Sequence, residues 1–204
     1  MSAPLKLFHA PGACSTGIRV LLEEIGAPYE IALIDVKKGE QRSDAFLAIN
    51  PKGKVPALLR GDGRLLTEYP AIAFWLARRH PEAGLLPEGP DEEADAMALL
   101  DYIVSTLHMR GSALIMRPSA FAASEAAQAE VAEAGRAALR RGLAQLAEAL
   151  GDGPWLLGER FSVCDSAALY LLNWLERCGV TPPDSVADYH GRLLARPSVQ
   201  RAMT

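Results

Sequence analysis

The sequence predicts an α/β domain followed by an all-helical one. Strand and helix signals alternate from Leu5 to Arg79, and strand signals vanish after that. Between the two halves, residues 81–90 hold three prolines and two glycines in ten positions, a composition break that reads as a linker.

Leu5-Lys6-Leu7-Phe8 reads as a strand. Pro11 and Gly12 punctuate the turn after it, and Ile18, Leu21, Leu22 and Ile25 then recur at i, i+3, i+4 and i+7, one helix face closed by Gly26. Residues 29–34 form a second strand, and a single helical crossover makes the two strands parallel. A short helix is expected over residues 41–49, then a loop over residues 50–54. Residues 55–59 and 64–67, joined by Gly61-Asp62-Gly63, form an antiparallel hairpin. Pro70 opens a helix to Arg79 with Ile72, Trp75 and Leu76 on one face. The order βαβ-α-ββ-α is that of a thioredoxin-like domain. Beyond the linker, helices are expected over residues 92–116, 122–150, 163–177 and 185–194, with a last turn at Pro197. The expected organisation is a domain over residues 1–82, a linker over 83–91 and an all-helical domain over 92–204.

Half of the 204 residues are hydrophobic, enough for a sizeable core. Lys and Arg total 21 against 25 for Asp and Glu, and the net charge of −4 offers no footprint for nucleic acid or an anionic membrane. Three widely spaced cysteines are no disulfide framework. The first residues lack the basic and apolar regions of a secretory leader, and the longest apolar run is too short to span a bilayer. A cytoplasmic, reducing location is expected.

The chemistry concentrates at Cys14-Ser15-Thr16-Gly17. The turn delivers Cys14 and Ser15 to the first turn of a helix, where unpaired amides and the macrodipole favour a thiolate. A self-resolving dithiol needs a second Cys at position 17, which is Gly. The bland reading is a buried free Cys in a tight turn. Val55-Pro56 opens a strand; a cis bond there would turn the Val55 backbone outward to pair with an extended peptide, though periodicity alone favours an ordinary trans proline. Glu68, just before the third helix, suits a ligand ammonium group, and the helix start suits a carboxylate. Ser162-Val163-Cys164-Asp165 is a capping-box pattern, and Cys164 and Cys178 read as inert core thiols. No ligand set for a metal is evident.

Taken together, these motifs resemble the glutathione transferase superfamily, with the bacterial beta class the nearest match. The resemblance covers the whole chain, and it is most specific in Pro11–Ser15 and in the segment Asn50-Pro51-Lys52-Gly53-Lys54-Val55-Pro56-Ala57-Leu58. It implies that glutathione lies across the first domain. Val55, before the family's cis-proline Pro56, would pair with the cysteinyl unit, and Glu68 would hold the γ-glutamyl amine beside Tyr69. Lys37 or Lys38 would reach the glycine carboxylate, Lys54 is a further expected glutathione-binding residue, and Cys14 and Ser15 would meet the sulfur. His108 falls on the family's second-domain histidine lining the electrophile site, with Ser105 and Asp101 on its face at i−3 and i−7; Ala113, Met116 and Phe121 are further expected lining. Members are usually homodimers, and Asp101 would approach the partner's glutathione. Two positions depart from the pattern: Tyr69 stands where Ser or Gly follows the glutamate, placing a ring at the ligand site, and Met109 stands where a basic residue often follows the histidine.

The function this implies is conjugation of glutathione to small hydrophobic electrophiles, with Ser15→Ala expected to raise the pKa of the pH–rate profile. Two other readings stand beside it: glutathione-dependent thiol reduction through a Cys14 mixed disulfide, and a non-enzymatic binding protein on the same scaffold, for which Tyr69 is the motive.

Overall fold

The structure, a computed structural model, describes residues 4–204. Residues 1–3, on which the expectation of no secretory leader partly rests, lie outside the described residues. Two compact units are present: the chain up to Ala83 together with Arg196–Thr204, and Gly84–Ala195.

The first unit contains β1 (Leu5–His9), α1 (Ser15–Ile25), β2 (Tyr29–Leu33), α2 (Asp44–Ile49), β3 (Ala57–Leu59), β4 (Leu65–Thr67) and α3 (Tyr69–Arg79), the expected thioredoxin-like order. The strands lie in the order β2-β1-β3-β4, with β1 parallel to β2 and antiparallel to β3, and β3 antiparallel to β4. Alternation along the strands makes two apolar faces. Leu7 and Leu58, partners in register, share full burial with Ile18, Leu21 and Leu22 of α1 and with Ile72 and Leu76 of α3. The neighbouring strand positions Phe8 and Ala57 pack with Phe46 of α2, the two phenylalanine rings meeting edge to face at 5.6 Å.

The expected helix over 41–49 is two pieces, a 3₁₀ turn at Glu40–Arg42 and α2. Ser43 separates them in an extended conformation because its hydroxyl accepts the Phe46 amide at 3.3 Å and caps α2. Residues 196–204, grouped by the sequence reading with the helical half, cluster with the first unit through α10 (Pro197–Met203). Glu24, in the last turn of α1, receives Arg196 Nε at 2.5 Å, Arg196 Nη2 at 2.9 Å and the Ser198 hydroxyl, while Glu23 receives Arg201 Nε at 2.7 Å. Two acids at the negative end of the α1 dipole are thus offset by two guanidinium groups.

The second unit is helical: α4 (Pro90–Asp101), a π-helical segment (Tyr102–Ser112), α5 (Ala113–Met116), α6 (Glu125–Leu150), α7 (Val163–Leu172), α8 (Leu175–Cys178) and α9 (Asp184–Leu194). All ten residues of α7 are buried, so this helix is covered on every side and forms the centre of the unit. The expected single helix over 163–177 breaks at Asn173 and Trp174; the Asn173 side chain bonds the His190 ring at 2.7 Å. α6 packs backbone to backbone on the helix before it. A Cβ at Gly135 would lie 2.9 Å from both Gly111 O and Leu114 Cβ. No described helix is long and apolar enough to cross a membrane.

The capping box is present as read. Asp165 is fully buried and accepts from Ser162 N at 2.8 Å, Ser162 Oγ at 2.6 Å, Leu156 N at 3.0 Å and Tyr189 Oη at 2.6 Å. Burial pushes its carboxyl pKa up, and these donors pull it back. Asp165→Ala removes the cap and strands at least two buried donors, so urea unfolding is expected to show a loss of about 3 kcal/mol.

Candidate active site

The site residues of the first unit gather at one end of the sheet because of the strand register. Phe8 and Thr67 both pair with Ala57. The segment after β1, the Val55-Pro56 step before β3 and Glu68 after β4 therefore meet at the same edge. Asn50 holds the middle loop. It is buried, its Nδ2 donates to Lys54 O at 2.8 Å, and its Oδ1 accepts Lys52 N at 3.2 Å. The Val55-Pro56 bond is cis.

Cys14 occupies the N-cap position of α1, half-buried, with Sγ 3.5 Å from Val55 O. Gly12, at φ +73°, makes the reversal that brings it there. The helix start offers fewer donors than the sequence suggests. The Thr16 and Gly17 amides already donate to Ala13 O at 3.0 Å and Cys14 O at 3.1 Å.

Ser15 departs from its expected role. It is fully buried, and its Oγ accepts Ala10 N at 3.1 Å, donates to Ala10 O at 3.3 Å and lies 2.9 Å from His9 Nδ1. The hydroxyl is spent inside the domain, tying the end of β1 to the start of α1, and is not offered to a ligand sulfur. His9, which carries no pattern in the sequence, is its buried partner. Burial, and secondarily the charge of Arg19, lower the His9 pKa from 6.5 to about 4.

Glu68 is the one described non-glycine residue with positive φ, at φ +71° and ψ +124°. Such backbone strain, of order 1–3 kcal/mol, marks a position the surroundings over-determine. Its exposed carboxylate meets Lys52 Nζ at 2.7 Å, and Lys52 also donates to Thr67 Oγ1 at 2.9 Å. Sequence reading passed over Lys52, whose only signal was its place in the loop that Asn50 pins. Tyr69 is buried, so its ring is covered by protein and does not stand in an open site. Lys54 is exposed, with its carbonyl held by Asn50. Lys37 and Lys38 lie on an exposed turn where both amides bond Asp35 Oδ1, and the Lys38 ammonium pairs with Asp35 at 3.3 Å.

In the second unit, His108 sits in the π-helical segment, whose end is marked by Ala113 N bonding His108 O five residues back. The wider winding removes the α-helical face assumed for Asp101, Ser105 and His108; Asp101 and Ser105 are exposed, whereas Ile103, Leu107 and Gly111 form the buried row. The His108 ring packs edge to face on Trp174 at 4.9 Å and on Tyr170 at 5.6 Å, with Nδ1 3.4 Å from Tyr170 Oη. No sequence signal tied Tyr170 or Trp174 to this histidine. Of the further expected lining, Ala113 is buried, Met116 is half-buried and Phe121 is exposed, as is Met109. Cys164 and Cys178 are buried, and desolvation pushes both thiol pKa values up.

The family model of the glutathione S-transferase N-terminal domain matches residues 3–78, and that of the C-terminal domain matches residues 128–194. The chain belongs to the glutathione S-transferase family. It is 34% identical over 204 residues to glutathione S-transferase GstA of Escherichia coli O157:H7, covering 98% of each chain. It is also 30% identical to a maleylacetoacetate isomerase of Pseudomonas aeruginosa, over 86% of this chain and 84% of that one. Among solved structures, a glutathione transferase homologue from Sulfitobacter with bound glutathione superposes with a TM-score of 0.89 at 32% identity, covering 98% of this chain and 97% of that one. A bacterial beta class transferase from Sphingomonas chungbukensis gives 0.84 at 33% identity, covering 97% and 96%.

The Ser15 geometry replaces the sequence expectation with a different one. Ser15→Ala should cost about 1–3 kcal/mol of stability by leaving the Ala10 amide and the His9 ring unsatisfied, and should leave unmoved the pH–rate profile that the sequence expectation has it shift. His9 is protonated more readily in the unfolded chain than in the folded one. Its contribution is therefore complete above pH 6.5 and is lost as pH falls through about 4. Over that window it amounts to roughly 3 kcal/mol, and His9→Asn should flatten this part of the stability–pH curve. The His190 contribution, of the same sign, should remain in that variant.

Proposed function

We propose that this chain binds glutathione in its first unit and conjugates it to small hydrophobic electrophiles. The observation that carries the reading is the half-buried Cys14 Sγ at the start of α1, 3.5 Å from Val55 O, on the sheet edge that also presents Glu68. The residues fit a peptide carrying an amine, two carboxylates and a thiol. The Val55 backbone stands just before β3 to pair with an extended strand. The Glu68 carboxylate accepts an ammonium group. Its present partner Lys52 forms an exposed pair worth about 0–1 kcal/mol, which a ligand amine can replace. Lys52, so released, and Lys54 supply cations for carboxylates. The buried Tyr69 ring presents no obstruction that would favour a merely binding role.

Bound there, glutathione supplies the sulfur that forms a bond to an electrophilic carbon. The leaving group departs with its electron pair, and the thiol proton goes to solvent. The task of this chain is to favour the thiolate. A thiol of ordinary pKa near 8.5 needs about two units of depression, about 2.7 kcal/mol, to be mostly ionised at neutral pH. The N-terminal dipole of α1 and the Cys14 side chain are the groups placed to supply it. The aromatic group around His108 is the surface we assign to the electrophile, and a homodimer in the cytoplasm completes the reading.

One observation favours a second reading. With the Ser15 hydroxyl committed inward, the half-buried Cys14 thiol is the nucleophile the segment has left, and its thiolate can exchange with a glutathione-containing disulfide to form a mixed disulfide that a second glutathione resolves.

The deciding experiment begins with calorimetric titration of the reduced protein by reduced glutathione, where micromolar to low millimolar binding is expected. Absence of binding removes both readings. Conjugation of 1-chloro-2,4-dinitrobenzene and reduction of hydroxyethyl disulfide are then measured in the wild type and Cys14→Ala. Conjugation is expected to survive within about tenfold, a barrier change near 1.4 kcal/mol, while any reductase activity disappears. Loss of conjugation with intact binding makes the Cys14 side chain the dominant group stabilising the glutathione thiolate. Glu68→Gln is expected to weaken glutathione binding about tenfold with the thiol titration unchanged, the scale of one lost charge-assisted hydrogen bond.

A further inference from the structure

The end of the sheet opposite Cys14 carries a cavity of about 610 Å³ that the glutathione reading leaves unused. Its place follows from the strand directions. Leu5 begins β1, Pro28 precedes the parallel β2, and Arg60 follows the antiparallel β3, so all three lie at one sheet end, while Cys14, Val55 and Glu68 lie at the other. β1 separates them by five residues, about 13 Å along the strand. The last turn of α3 closes the cavity with Trp75 and Arg79.

The walls divide by chemistry. Leu5, Pro28 and the Trp75 ring are apolar. The Arg60 guanidinium lies over the Trp75 ring, 5.7 Å from its centre. Arg60 is mostly covered, with 18% of its side chain exposed, so this charge stacks on the ring instead of facing bulk water. Asp62 is the opposing acid in the wall, and Arg64, outside the cavity, holds it at 2.8 Å, leaving Arg60 at a longer 3.8 Å. Arg79 makes no ion pair among the described residues. Together with Arg78 it offsets the negative end of the α3 dipole, and Arg79 is the one that lines the cavity. His80, the remaining polar wall residue, is turned to Glu82 at 3.2 Å. In a chain of net charge −4, this is a concave site with an uncommitted cation, a second cation stacked on an indole, and an apolar floor. Its volume is that of small-ligand sites, which run from about 300 to 1,000 Å³.

The geometry points to a second ligand site here, taking a flat aromatic carboxylate whose ring lies against Trp75 and whose charge meets Arg79. Planar faces stack on Trp and on a guanidinium, and a carboxylate accepts from the fork of an arginine. Inorganic phosphate supplies the charge without the ring, and a neutral amide supplies the ring without the charge, so neither satisfies both walls.

The test uses the full-length protein without glutathione, so its outcome is independent of the glutathione reading. 1-Naphthoate, 1-naphthamide and inorganic phosphate are titrated by calorimetry into the wild type, Arg79→Ala and Trp75→Leu. The Trp75 indole N–H, assigned through Trp75→Phe, is followed by ¹⁵N NMR. Arg79 is exposed at a helix end, and its removal leaves the fold intact. Expected are one naphthoate site, at least fivefold weaker binding in Arg79→Ala, a displaced Trp75 indole signal, and at least tenfold weaker binding of the amide and of phosphate. Absence of naphthoate binding overturns the proposal. So does binding that Arg79→Ala leaves unchanged, which places the ligand elsewhere, and so does equal binding of the amide, which removes the anion from the recognition.

Discussion

The first unit depends on one small buried contact, the Ser15 hydroxyl bonded to both backbone groups of Ala10 and placed against the His9 ring. A strand that ends and a helix that begins six residues later leave backbone groups unpaired in a covered place, and those groups need partners. Ser15 supplies them and sets the angle at which α1 leaves the sheet. The position of Cys14, one residue before, follows from that angle. The residue that looks like a second nucleophile in the sequence is therefore the residue that aims the first.

The rest of the site is held by the same kind of economy. Asn50, buried in a polar loop, turns its side-chain amide to Lys54 and its carbonyl to Lys52, and the loop can then present the Val55 backbone without strand partners of its own. Glu68 keeps a backbone conformation that non-glycine residues avoid, and its carboxylate stands out at the same sheet edge. Both features spend local stability on the orientation of groups facing outward, the pattern expected where binding and not packing sets the geometry.

Much of this was legible from residue patterns. The spacing of Ile18, Leu21, Leu22 and Ile25, the hairpin at Gly61-Asp62-Gly63 and the cap at Ser162–Asp165 placed their elements because each is a local signal with a local physical cause. What stayed hidden depends on contacts between distant positions. The Ser15 side chain turns inward because His9 and Ala10 await it, and no spacing rule reports that. Lys52 reaches Glu68 only once β4 has returned beside the loop. The π-helical winding around His108 rearranges faces that α-helical counting would assign, and Trp174, in the break between α7 and α8, meets the histidine. The last nine residues read as a helix ending, but their placement on α1 depends on Glu23 and Glu24 more than 170 positions earlier.

That clasp has a consequence for how the molecule is made. Hydrogen bonds between Arg196 and Glu24 close a loop of 172 residues, with the whole second unit inside it. The thioredoxin-like half, although translated first, cannot gain its final helix until the helical half has emerged from the ribosome. Long-range closure of this kind is entropically costly and late, and it slows folding relative to local contacts. The helical half, uninterrupted in sequence, is free to fold as a continuous piece before the first half is sealed.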